Sequence, residues 1–142
     1  MGHTITEKIL SAHSGKKEIA PGDIVMANLH LVVDLDIVFG ITGGHQTPKR
    51  VFDPDKIAVV ADHTVPAPSI AAANAMRRMR QFVQKFGIEK FFAEGRHGIA
   101  HVILGEEGLA GDRQREEVER RLVVHLVVGG LGGLGGLEAR LD

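Results

Sequence analysis

The sequence predicts an α/β fold with a mainly parallel sheet, and three observations carry that prediction. Ile57-Ala58-Val59-Val60-Ala61 is a short continuous apolar run, the pattern of a strand buried on both faces. Ser69 to Phe86 has helical periodicity, with Met76, Met79, Val83 and Phe86 on one face and Arg77, Arg78, Arg80 and Lys85 mostly elsewhere. Lys90-Phe91-Phe92-Ala93 then reads as a second short strand. Strand, helix and strand in that order form a βαβ unit, which requires parallel strands.

The remaining elements follow in chain order. Thr4-Ile5-Thr6-Glu7 is a capping box, Ile5, Ile9 and Ala12 repeat at helical spacing, and Gly15 ends the helix. Pro21-Gly22-Asp23 is a turn. Ile24 to Val38 is mostly apolar and β-branched, but Asn28, His30, Asp34 and Asp36 interrupt it, so one or two extended pieces are expected. Gly40 to Pro48 reads as a loop, and Asp53-Pro54-Asp55 as a turn leading into the buried strand. Pro66-Ala67-Pro68 blocks continuation of that strand, Ser69 caps the long helix and Gly87 stops it. Asp112 to Val128 is expected to form an amphipathic helix, followed by a Gly-Gly-Leu repeat of low complexity. The expected division is therefore 1–110 as the α/β unit and 111–142 as a divergent helical and Gly/Leu-rich tail.

Composition removes several function classes. The chain has 142 residues, enough for one ordinary domain. Its net charge is −1, without the basic excess of a nucleic-acid binder, and Phe is its only aromatic residue. No cysteine is present, which excludes disulfides, thiolate metal sites and Cys nucleophiles within this chain. Leu122 to Leu137 is uncharged and contains Gly129 and Gly133 as a GxxxG pair. It is shorter than the ~20 residues of a spanning helix, so no membrane role is expected. Met1 to Lys8 has no apolar run to act as a signal peptide, and the default expected location is the cytoplasm.

Two segments can carry chemistry. Asp62-His63 lies where the buried strand gives way to a loop, and open α/β sheets bind ligands beyond the carboxyl ends of their strands. A carboxylate beside an imidazole can orient it for proton transfer to a leaving group, although Asp-His is also a common dipeptide that caps helices and closes loops. In Gly95-Arg96-His97-Gly98-Ile99-Ala100-His101, Arg96 offers a fork for a carboxylate, and His97 and His101 would share a face if helical. Gly98 stands where a zinc helix of the H-E-x-x-H type needs Glu. Gly40-Ile41-Thr42-Gly43-Gly44 lacks the Lys-Ser/Thr ending of a phosphate loop and reads as a turn.

Five motifs in one order resemble a known family. They are Thr4 to Leu10, Pro21-Gly22-Asp23-Ile24-Val25, Phe52 to Ile57, Ala61-Asp62-His63 with Pro66, and Gly95-Arg96 with Gly98-Ile99, His101 and Glu107-Gly108. Over roughly residues 1–110 they resemble the start of the large subunit of 3-isopropylmalate dehydratase and homoaconitase, in the aconitase superfamily. The resemblance implies a partial three-layer α/β/α fold. It also implies a hydro-lyase of leucine biosynthesis that shifts a hydroxyl on a hydroxy-polycarboxylate by dehydration and rehydration. By the same resemblance, Asp62, His63 and His101 are catalytic and serve the departing hydroxyl. Asp36 falls at an acidic position of the substrate site, and Arg96 is its second candidate contact. The family uses a [4Fe–4S] cluster and a small swivelling subunit. This chain carries none of the cluster cysteines, and Leu35 and Val38 depart from the family pattern around Asp36.

These departures lead to an expectation of a truncated or frameshifted piece, inactive alone, that self-associates to cover an exposed sheet edge. The alternative is a non-catalytic α/β binding or assembly module. A third reading is a carboxylate-binding protein using Arg96, His63 and His101.

Overall fold

A computed structural model of the chain describes residues 3–40, 47–109 and the backbone of 123–126. The expected loop at 40–48, the first part of the expected helix at 112–128 and the Gly-Gly-Leu repeat lie largely or wholly outside these residues.

Four parallel strands form one sheet. They are β1 (Leu31–Leu35), β2 (Ile57–Val60), β3 (Lys90–Phe92) and β4 (Val123–Leu126), in the spatial order β3-β2-β1-β4. The chain steps from β1 to β2 to β3 in one direction, and β4 lies beyond β1 on the other side. The strand order therefore reverses beside β1, and open α/β sheets place ligands at the carboxyl ends of the strands where this happens.

A layer covers each face. Helix α2 (Ile70–Phe86) packs Ala75, Met76, Met79 and Phe82 against Ile57, Val59 and Ala61. Helix α3 (Ala100–Glu106) packs Ala100, Ile103 and Leu104 against Leu31, Val33, Leu35, Ala58 and Val60. Alternate residues of β2 thus enter opposite cores, which is why its sequence is apolar throughout. The α/β class, the parallel sheet and the three layers agree with the prediction.

Local signals account for the helix ends. Ser69 Oγ accepts from Ala72 N at 3.2 Å, and Gly87 closes α2 at φ +67°. The buried face of α2 is centred on Ala72, Ala75, Met76, Met79 and Phe82, while Val83 and Phe86 sit at its margin. At the N-terminus, α1 (Ile5–Ser14) begins with the expected capping box: Glu7 N donates to Thr4 Oγ1, and Thr4 N to Glu7 Oε2. This bond to the Thr4 backbone lowers the Glu7 pKa. The packing of α1 is local, with Ile9 and Leu10 against Ala27 and Leu29.

Two expectations are corrected. Residues 123–126 form strand β4 rather than part of a helix, and they pair with Leu31 to Asp34 of β1. An apolar run such as Leu122 to Val128 fits a buried strand as well as a buried helix, and the free edge of β1 selects the strand. Helix α3 begins only at Ala100, so His97 precedes it and does not share a helical face with His101. Among the described residues, no helix is long and apolar enough to cross a membrane.

Candidate active site

The carboxyl ends of β1 and β2 bring three loops together. β1 runs into a single 3-10 turn, Asp36–Phe39, that ends at Gly40 with φ +89°. α2 fixes this turn. Arg78 Nε donates to Phe39 O at 2.6 Å, Arg78 Nη2 donates to Gly40 O at 2.9 Å, and the Phe39 and Phe82 rings meet edge to face at 5.4 Å. Arg78 thus satisfies the carbonyl end of the turn with a charged donor.

Asp36 is completely buried, at 0% exposure. Its Oδ1 accepts from Ile37 N at 3.0 Å and His63 N at 3.2 Å. Its Oδ2 accepts from Thr64 N and Thr64 Oγ1, each at 2.6 Å. A carboxylate offers about four lone-pair sites, and these four donors fill them. The His63 imidazole stands over the same group, with Nδ1 3.5 Å from Asp36 Oδ1 and its side chain 48% exposed. The resemblance places Asp36 against substrate, but its acceptor sites face protein donors.

Asp62 does not orient His63 as its position in the sequence suggests. Its Oδ2 accepts from Ala100 N at 3.0 Å, at the first residue of α3. The amide at a helix start lacks an intrahelical acceptor, and Asp62 supplies one across the sheet end. This bond ties the loop after β2 to the residue preceding His101. His63 and His101 are therefore carried by two segments joined at the carboxyl end of the sheet, and both residues are exposed.

Arg96 lies in the turn after β3. Its Nη2 is 3.4 Å from Glu107 Oε1 and its guanidinium lies 4.9 Å from the Phe92 ring centroid. These are its partners, rather than the Asp36 group. Two residues escape a reading of the sequence: Thr64, which supplies both donors to Asp36 Oδ2, and Arg78, which holds the turn from 38 and 39 residues away. No local signal marks either, because both sets of bonds depend on β1 and β2 being neighbours.

A third carboxylate lies two residues before Asp36, on β1. Asp34 is 6% exposed, and among the described residues its Oδ1 has no hydrogen-bond partner. Desolvation raises its pKa from 3.8 to about 6.

This arrangement can be set beside known proteins. No protein-family model matches the chain. It is 45% identical over 112 residues to the 3-isopropylmalate dehydratase large subunit of Thermodesulfovibrio yellowstonii, across 77% of this chain and 27% of that protein. The large subunit of the same name from Aquifex aeolicus is 44% identical over 119 residues, with 77% and 26% covered. That from Mycolicibacterium smegmatis is 41% identical over 110 residues, with 78% and 26% covered. Over this stretch the chain is homologous to 3-isopropylmalate dehydratase large subunits. It spans about a quarter of the length of these relatives. The resemblance read from the five motifs is thus shown for most of the sequence.

The resemblance also implies an iron–sulfur cluster. Such a cluster is held by thiolates, and this chain has no cysteine. Among the described residues, no group of three His, Asp or Glu side chains is placed to hold a metal. The donor set of this chain does not fit the group.

Proposed function

We propose that this chain is a hydro-lyase module of the 3-isopropylmalate dehydratase type, supplying proton-transferring imidazoles to a hydroxy-dicarboxylate. Its observational support is the joining of the His63 and His101 segments at the carboxyl ends of parallel strands, through the bond from Ala100 N to Asp62. Hydroxide is a poor leaving group. An imidazolium at His63 or His101 passes a proton to the leaving oxygen, so that water departs as the C–O bond breaks. The neighbouring C–H proton goes to a base, and its electron pair becomes the double bond. Arg96 is the proposed carboxylate fork, because its exposed pairing with Glu107 costs little to exchange. By the same reading the module works with further large-subunit polypeptide and a small subunit, and the cluster's ligands come from outside this chain.

The test is calorimetric titration of the full chain with 3-isopropylmalate. Binding is expected, and both His63→Ala and His101→Ala weaken it about tenfold or more. No heat from the parent chain, or heat from both variants equal to that of the parent, removes the reading. A non-catalytic α/β assembly module is the second reading, favoured by the absence of cysteine.

A further inference from the structure

The residue that neighbours His63 in sequence is not the residue that holds it. Asp62 is engaged with Ala100 N, whereas Asp36 reaches His63 from the end of the adjacent strand. Asp36 accepts from the His63 backbone and from both donors of Thr64, so it fixes the two residues on which the imidazole turns. The same oxygen that takes the His63 amide lies 3.5 Å from Nδ1. At that distance the buried carboxylate acts on the ring electrostatically, beside its four closer donors, and its proximity favours a proton on Nδ1 and leaves Nε2 as the nitrogen available to a ligand. We infer that Asp36 is the positioning residue for His63, with Thr64 completing the clamp, and that it acts through His63 without touching the substrate. The inference rests on the reading of His63 as a proton-transferring group, but its test does not.

The test reads the tautomer of His63 in the full chain by two-bond ¹H–¹⁵N correlation at about pH 8, above the usual imidazole range. A His63→Gln variant identifies the signal. The parent is expected to show the Nδ1-protonated form as the major species. Asp36→Asn is expected to make that form the minor one. Thr64→Val is expected to reduce it partially, and Thr64→Ser to restore the parent pattern. A parent in which Nε2–H dominates overturns the inference without any variant. So does a fully retained Nδ1 proton in Asp36→Asn that still shows the dispersed amide signals of the sheet. If the tautomer follows Asp36 but 3-isopropylmalate does not bind, the clamp stands and the hydro-lyase reading fails. If 3-isopropylmalate binds but the tautomer is indifferent to Asp36, the clamp fails and the hydro-lyase reading stands.

Discussion

Asp34 and Asp36 are two residues apart on one strand and the turn that ends it, and both are buried, but they are held in opposite ways. Among the described residues Asp34 Oδ1 meets no donor, and desolvation pushes its carboxyl up to about 6. Asp36, just past the end of the strand, receives four donors. The middle of a parallel strand has its amides committed to the ladder, so a carboxylate there meets only side chains. At the carboxyl end the ladder has stopped, and the loop amides of 37, 63 and 64 converge on one point. A buried charge is tolerable where such amides are free, and sites form there for the same reason.

The comparison breaks most visibly if Asp36 is removed. Asp36→Ala leaves the His63 and Thr64 amides without their acceptor and is expected to cost at least about 3 kcal/mol. Urea denaturation checks this, and a loss below about 1 kcal/mol would mean that water substitutes for the carboxylate.

Asp34 should behave in the opposite sense. Its pKa is raised in the folded chain, so the folded state holds the proton more tightly than the unfolded one. The Asp34 contribution is fully present below pH 3.8 and is lost as the pH rises through about 6. Its size is about 3 kcal/mol. Asp34→Val is therefore expected to stabilise the chain at neutral pH by about 2 kcal/mol and to flatten the stability profile between those limits. Denaturation midpoints at several pH values measure both effects. A variant less stable than the parent at neutral pH would show that Asp34 has a partner under these conditions.

These carboxylates also mark what can be read from the sequence. The ends of α1 and α2 are legible because Thr4, Glu7, Ser69 and Gly87 act within a few residues of themselves. β2 is legible because burial on both faces writes a continuous apolar run. Asp34 reads only as an interruption of a strand, and Asp36 as that and, by resemblance, as a substrate contact. Neither reading shows the donors around it, because these surroundings are built by β2 and the loop after it. The expected pairing of Asp62 with His63 rests on adjacency and on the resemblance. The fold instead directs the Asp62 carboxylate to Ala100, 38 residues away. β4 is illegible because only the edge of β1 decides between strand and helix.

A neutral oxygen at a helix start sharpens the contrast. Ser69 Oγ accepts a single amide, from Ala72, near the surface. Ser69→Ala is expected to cost about 1 kcal/mol, well below Asp36→Ala, since water can reach the amide it leaves. Thermal denaturation compares the two directly. Equal losses would mean that the four bonds to Asp36 are worth no more than one cap.

The smallest effect on stability is expected at Arg96, where charges meet in water. The Arg96–Glu107 pair is 3.4 Å long, and its side chains are 62% and 46% exposed. Such pairs contribute little, because solvent screens them and both side chains lose rotamer freedom. Stacking of the guanidinium on Phe92 adds a modest term. Arg96→Ala should therefore shift stability by less than about 1 kcal/mol. Loss of a charged hydrogen bond to a ligand carboxylate would weaken 3-isopropylmalate binding about tenfold. Calorimetry and denaturation on the same variant separate the two roles. Weaker binding at unchanged stability assigns Arg96 to the ligand, whereas unchanged binding with a clear loss of stability assigns it to the packing of α3 over β3.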